Sequence, residues 1–143
     1  MIADKIQDSV RQTLNDIPEM EWEQDDDDDI ERVRFVTGRP FEVAVDITKD
    51  EILIHRWAAR WEGPHSLVDA PEVVGRIDFK SHGRYLDEDG FSEALKHLVL
   101  AAQMLRRMRF SSCKFCDKTT PPEYQYGEDV CYGCASTEYG IVY

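Results

Sequence analysis

The chain has 143 residues, a length that suits one domain or one domain with a small appended module. Apolar residues make up 42% of it and charged residues 32%, which is the balance of a soluble globular protein. The longest apolar run, around residues 98–102, is far shorter than the roughly 18 residues that suggest a membrane span. The net charge of −12 disfavours nonspecific attraction to nucleic acid, and the charged first residues contain no apolar signal core, so we expect a cytoplasmic protein.

The first 30 residues hold eleven acidic and only two basic side chains. Within them, apolar residues recur at steps of four and three, which predicts an amphipathic helix over 1–17 that packs on the body and ends before Pro18. The stripe comprises Ile2, Ile6, Val10, Leu14 and Ile17. The next segment, 18–30, contains Asp25–Asp29, and the mutual repulsion of these carboxylates predicts a solvated linker.

Residues 31–80 alternate between apolar and polar side chains in several short stretches, as half-buried strands do. The alternation is clear at 33–35, 41–47 and 73–79, and the segment EILIHRWAARW at 51–61 supplies a further strand. Short turns connect these stretches, so we predict a four-stranded antiparallel meander with one face on the core and one toward water.

A long helix follows in the segment FSEALKHLVLAAQMLRRMRF at 91–110. Its predicted buried stripe, widened by Val99 and Ala101, comprises Phe91, Leu95, Leu98, Ala102 and Leu105. The meander and this helix form a predicted body over 31–110, followed by a small module over 111–143. The sequence therefore predicts an α+β fold with an N-terminal helix, a four-stranded meander, a long helix and a C-terminal four-cysteine module.

All the cysteines of the chain lie in that module, in the pattern C-x2-C-x14-C-x2-C: Cys113, Cys116, Cys131 and Cys134. In a reducing compartment such pairs are metal ligands more often than disulfides. Each C-x2-C turn points two sulfurs at one centre, and two turns supply the tetrahedral thiolate set of a structural zinc site. We therefore predict one structural Zn²⁺ with all four positions filled by protein. Iron in the same four-sulfur site stays open, because the ligand type alone does not separate the two metals.

The module resembles the treble-clef and zinc-ribbon type of zinc finger over residues 110–143. CKFCDK at 113–118 is similar to the zinc knuckle of that class, YQYGED at 124–129 to its hairpin, and VCYGCASTEYG at 130–140 to its terminal helix, with Gly140 as the stop. Some treble-clef proteins are nucleases, which implies a catalytic histidine and an asparagine in the module. Neither residue type occurs after His97, so the resemblance implies a structural module without that activity.

A basic cluster surrounds the end of the long helix, where only Asp117 opposes six cations between residues 96 and 118. Its members are Lys96, Arg106, Arg107, Arg109, Lys114 and Lys118. Such a cluster could contact an acidic patch on another protein, or it could hold the phosphates of a nucleic acid. It could equally receive the chain's own Asp25–Asp29.

A second candidate surface depends on the register of the strand at 51–61. If Ile52 and Ile54 face the core, then Trp57 and Trp61 line the open face of the sheet, close to several arginines. Aromatic and arginine side chains together suit a peptide or a single-stranded nucleic acid. The opposite register places the tryptophans in the core instead.

The four histidines are His55, His65, His82 and His97. His82 lies close in sequence to several carboxylates, so an acid–base or second metal site could be drawn there, but no nucleophile or pocket can be assigned to it. The favoured prediction is a non-enzymatic interaction or regulatory protein that carries structural zinc and binds a protein partner. Nucleic-acid binding through the basic cluster is the alternative, and an enzyme built on His82 is the least favoured.

Overall fold

The computed structural model describes residues 4–25, 31–38, 40–63, 66–80 and 88–140. The helices in these ranges are α1 (Asp4–Asn15), α2 (Glu88–Arg107) and α3 (Tyr132–Tyr139), and one 3₁₀ turn covers Pro122–Tyr124. The strands of the first half are β1 (Trp22–Asp25), β2 (Val33–Thr37), β3 (Val43–Ile47), β4 (Glu51–Arg56), β5 (Ala59–Trp61), β6 (Leu67–Asp69) and β7 (Glu72–Asp78). The short strands of the C-terminal segment are β8 (Ser111–Ser112), β9 (Thr119–Thr120), β10 (Gln125–Tyr126) and β11 (Val130–Cys131).

The main sheet has five strands in the order β1-β2-β3-β4-β7, and every neighbouring pair is antiparallel. Strands β2, β3, β4 and β7 form the predicted meander. The α+β class, with an N-terminal helix, a long helix and a C-terminal cysteine segment, is therefore confirmed. The meander gains β1 as an outer fifth strand, and the hairpin of β5 and β6 interrupts it between β4 and β7.

Helices α1 and α2 cover one face of this sheet and bury its apolar side chains. Val10 and Leu14 of α1 and Leu95 and Val99 of α2 join the inward-facing residues of β3 and β4 in one core cluster. Both helices supply apolar residues at intervals of three and four, which is the spacing that lines one side of a helix. Gly75 of β7 lets α2 approach closely, because a Cβ atom there would lie 2.7 Å from Cδ2 of Leu98.

The prediction of a solvated linker over 18–30 is wrong at Trp22–Asp25, which forms β1 and pairs with β2. Met20 and Trp22 pack against the core cluster, and this burial holds the segment on the sheet. Charge repulsion argues against regular structure only for the aspartate run itself. Residues 26–29 of that run lie outside the described residues.

The predicted strand over 51–61 is divided, since β4 ends at Arg56 and β5 begins at Ala59 in a separate hairpin. Within β4, Ile52 and Ile54 face the core and are fully buried. The backbone N–H of Trp57 donates to the carbonyl of Glu42, which turns the chain away from the sheet after β4.

The opposite face of the sheet carries a second, smaller set of buried residues. Val36, Ala44 and Trp57 form an apolar cluster there, with the ring of Phe41 5.0 Å from that of Trp57. The assignment of Trp57 to an exposed surface is therefore wrong. The indole is buried without any reversal of the strand register, because the chain leaves the sheet at that residue and folds back over it.

A buried carboxylate lies beside that cluster on the same face. Asp46 accepts two hydrogen bonds from Arg34, at 2.6 and 2.8 Å, and its Oδ2 lies 2.9 Å from Nε2 of His55. Burial raises the pKa of Asp46, but the hydrogen bonds from Arg34 and His55 outweigh it and lower that pKa to about 2. His55 is therefore a buried neighbour of Asp46 and contributes nothing to the metal site.

Candidate metal centre

The first cysteine pair lies at the end of α2, in the turn that joins β8 to β9. The N–H of Asp117 donates to the carbonyl of Cys113 and the N–H of Cys113 donates to that of Lys118, which closes the turn around the two sulfurs. Asp117 has a φ of 61°, in the left-handed region that aspartate and asparagine tolerate better than most residues. This is the backbone conformation expected of the predicted knuckle.

The second cysteine pair lies where a hairpin passes into a helix. Strands β10 and β11 form the hairpin, with Gly127 at a φ of 73° in its turn. Cys131 is the N-cap residue of α3, and Cys134 lies in the first turn of that helix. Gly140 ends the helix in a left-handed conformation, as the sequence predicts.

The four sulfurs converge on one point. Their Sγ atoms all lie within 4.8 Å of one another, and those of Cys116 and Cys131 are 3.8 Å apart. Four sulfurs in a regular tetrahedron at about 2.3 Å from one zinc ion lie about 3.8 Å apart. The four cysteines could therefore hold a metal ion, and the spacing fits a tetrahedral thiolate site.

The surroundings of the sulfurs divide them into a thiolate and thiols. Hydrogen bonds from backbone N–H groups, that of Cys131 first, lower the pKa of Cys113 to about 6. Burial and then the neighbouring sulfurs raise the pKa of Cys134 to about 12. A cation at the centre would favour the thiolate form of all four, since the sulfurs repel one another as anions and a metal binds thiolates.

A buried ion pair ties this segment to the body of the protein. The guanidinium of Arg106 donates to both carboxylate oxygens of Glu123 and, through Nε at 3.1 Å, to the carbonyl of Phe41. Both charged side chains are almost fully buried, at 3% and 4% exposed. The indole Nε1 of Trp61 donates to the carbonyl of Glu123 as well, at 3.0 Å. The cysteine segment is thus fixed to α2 and β5 by polar contacts that water barely reaches.

This pair removes Arg106 from the predicted basic surface, and its assignment to an exposed interface is wrong. Arg107 lies at the surface but donates two hydrogen bonds to Glu42. Arg109, Lys114 and Lys118 are exposed. Two of the three arginines are engaged because Glu42 and Glu123, distant in sequence, come close to the helix end in the fold.

The other predicted residues are dispersed. Trp61 is 38% exposed, and its ring lies 5.9 Å from that of Tyr132, so it belongs to the junction with the cysteine segment. His97 is exposed on α2. His65 and His82 lie outside the described residues, as do Asp26–Asp29, so the proposed acid–base site and the masking of the basic cluster are left as predictions.

Comparison with known proteins adds no family to this description. No family model matches the sequence, and no curated protein and no solved structure is significantly similar to it. Within the described ranges, no helix is both long and apolar enough to cross a membrane. The functional argument therefore depends on the geometry of this chain alone.

Two exposed apolar surfaces were missed by the sequence reasoning. The first is the aromatic cluster of Phe115, Tyr126 and Tyr139, each between 44% and 47% exposed, on the cysteine segment. The second is the outer face of α2, where the exposed apolar residues are Leu100, Ala101, Met104, Leu105 and Met108. The intervals of four between Leu100, Met104 and Met108 are visible in the sequence and could have indicated this second face.

Proposed function

We propose that the chain is a zinc protein in which the four cysteines hold one structural Zn²⁺, and that it acts without catalysis by binding another protein. The observation that carries the proposal is the convergence of the four Sγ atoms within 4.8 Å. With every coordination position taken by protein, zinc would cross-link the two turns and leave no position for water or substrate. Iron in the same site remains the alternative metal.

The order of elements around the cysteines supports a treble-clef type of module. A knuckle, a hairpin and a short helix follow one another, as they do in that class of zinc finger. The apolar core here is small, since only Cys113, Val130, Cys131 and Ala135 are buried together, with Cys134 packed against them. Zinc binding is worth about 10–16 kcal/mol in finger peptides, which is ample to order such a segment.

The aromatic cluster is the surface of the module that best suits a protein partner. The rings of Phe115 and Tyr126 lie 5.7 and 6.1 Å from that of Tyr139. The ammonium of Lys114 lies over two of these rings, 5.3 Å from Phe115 and 5.9 Å from Tyr139. Exposed aromatic side chains that are already held by neighbours lose little entropy on binding, and they dominate the energetics of many protein interfaces.

Elemental analysis of protein purified without chelator tests the metal. We expect one zinc ion per chain in the native protein and in a Ser112→Ala control. Cys116→Ser and Cys134→Ser should each lower the zinc content strongly, because each removes one of four ligands. Native protein without stoichiometric metal would refute the proposal, and stoichiometric iron would change the metal and keep the structural role.

Affinity capture from native lysate tests the interaction. The bait is the zinc-loaded chain, compared with a Phe115→Ala/Tyr139→Ala variant and with Tyr124→Ala as a matched exposed aromatic outside the cluster. We expect captured protein to be lost with the double variant and kept with the Tyr124 control. Capture that disappears after nuclease treatment would favour the nucleic-acid alternative through Arg109, Lys114 and Lys118.

A further inference from the structure

Helix α2 is apolar on two opposite sides. Its inner side, with Leu95, Val99 and Ala102, is fully buried against the sheet and α1. On its outer face, Leu100, Met104 and Met108 are 42%, 66% and 76% exposed. A helix that is apolar all round is normally buried on all sides, so this face lacks a covering surface among the described residues of one chain.

Leu105 and Ala101 belong to this exposed region as well, although the sequence assigned them to the buried stripe. They widen the line of Leu100, Met104 and Met108 into a continuous apolar strip along about three turns of the helix. Methionine adapts its shape to a facing surface and is over-represented at binding surfaces. Contiguous exposed apolar side chains of this kind mark interfaces more often than scattered ones do.

We propose that the outer face of α2 is covered by the same face of a second copy of this chain, in an antiparallel homodimer with Leu100 close to the two-fold axis. The inference rests on the apolar face and its charges, and it does not depend on the metal or on the aromatic cluster.

The charges at the two ends of the face complement each other under a two-fold axis. Glu93 and Arg107 lie seven residues before and after Leu100, so all three share one side of the helix, about 10 Å apart in sequence order. An antiparallel pair centred on Leu100 therefore sets Glu93 of one copy opposite Arg107 of the other. A parallel pair would instead set like charges against each other.

Both charged groups are available at the surface. The side chain of Glu93 is 64% exposed, and that of Arg107 is 59% exposed. Arg107 is held in place through Nε and Nη2 by Glu42, so its guanidinium is oriented before any partner arrives. An isologous contact of this kind uses every favourable pair twice, which is why closed two-fold dimers are the commonest assemblies.

Sedimentation equilibrium of the full-length, zinc-loaded chain over a concentration series is the first test. We expect a dimer in the native protein and a shift toward monomer in Met104→Glu, with a dissociation constant raised at least about 100-fold because the new carboxylate enters the contact twice. Val73→Glu is the matched control, since Val73 is 47% exposed on the sheet strand β7, and it should leave the dimer intact. Unchanged thermal unfolding and zinc content in Met104→Glu would show that its fold is preserved.

Disulfide trapping tests the antiparallel arrangement separately. A cysteine at the two-fold axis can pair with its own copy, so Leu100→Cys should cross-link under mild oxidation with diamide. Met108→Cys should not, because eight residues on either side of the axis separate the two sulfurs by about 24 Å, beyond the roughly 7 Å Cα separation that a disulfide spans. Native protein treated in parallel controls for reaction of the four natural cysteines.

A monomeric native protein at every concentration would overturn the proposal. So would a dimer that persists in Met104→Glu, or cross-linking of Met108→Cys in preference to Leu100→Cys. A monomer that captures a different protein through Met104 would also overturn it, since the face would then serve a foreign partner. Each of these results leaves the zinc measurement unaffected, so the failure of this proposal and that of the metal site can be told apart.

Discussion

The buried ion pair between Arg106 and Glu123 gives the sharpest stability prediction. Replacing Arg106 by methionine removes three hydrogen bonds, two of them to the carboxylate and one to the carbonyl of Phe41. Glu123 would be left 4% exposed as an uncompensated charge. Breaking a buried pair from one side costs about 3–5 kcal/mol in other proteins, and we expect a loss of free energy of unfolding in that range.

Urea unfolding followed by circular dichroism measures this loss. With a slope of about 2 kcal/mol per molar urea, Arg106→Met should lower the midpoint by about 2 M. The double variant Arg106→Met/Glu123→Leu should lose less than either single variant, since it leaves no buried charge behind. Arg60→Met is the matched control, because Arg60 and its partner Glu62 are both more than half exposed and such pairs contribute about 0–1 kcal/mol.

Two results would refute the reasoning. If Arg106→Met unfolded within about 1 kcal/mol of the native protein, the pair would be as weak as a surface pair, and the burial argument would fail. If the double variant were as unstable as the sum of the single variants, the two side chains would not be coupled.

Three further predictions follow from other parts of the fold. Gly75→Ala should destabilise the protein by about 1–2 kcal/mol in thermal or urea unfolding, because its Cβ would meet Leu98 at 2.7 Å, and a second change of Leu98→Ala should relieve the clash. The pKa of Asp46 is lowered from 3.8 to about 2, so its contribution is present above pH 4 and is lost as the pH falls toward 2. The stability difference between the native protein and Asp46→Asn should shrink over that window by about 2 kcal/mol, or about 1 kcal/mol with solvent screening, and urea unfolding at stepped pH measures it. Removal of the metal by a chelator should shift tryptophan emission to the red, because Trp61 depends on the carbonyl of Glu123 and on the ring of Tyr132, and emission that does not change would place the module's order outside metal control.

Local patterns in the sequence were sufficient for the helices, the meander and the cysteine turns. The stripe of α1 and the inner face of α2 follow from apolar intervals of three and four, and these intervals depend only on helix geometry. The C-x2-C turns are equally local, since each needs only one tight backbone turn. For the same reason Asp117 could be placed in a left-handed conformation before the fold was known.

Contacts between distant residues were beyond such patterns. Arg106 and Glu123 are seventeen residues apart, and nothing in their neighbours indicates that they pair in the interior. Trp57 was assigned by extending an alternation through 51–61, but the strand ends one residue before it. β1 was missed because its highly charged sequence suggested a linker, whereas Trp22 holds it to the core.

The polar contacts between α2 and the cysteine segment mean that residue 110 is not a point where the chain can be cut without damage. A premature stop codon or a protease acting there would delete Glu123 and uncover Arg106 together with the ring of Trp61. The shortened protein would keep its sheet but lose a wall of its interior. We expect cellular quality control to clear it, and it would not survive as a partly active species.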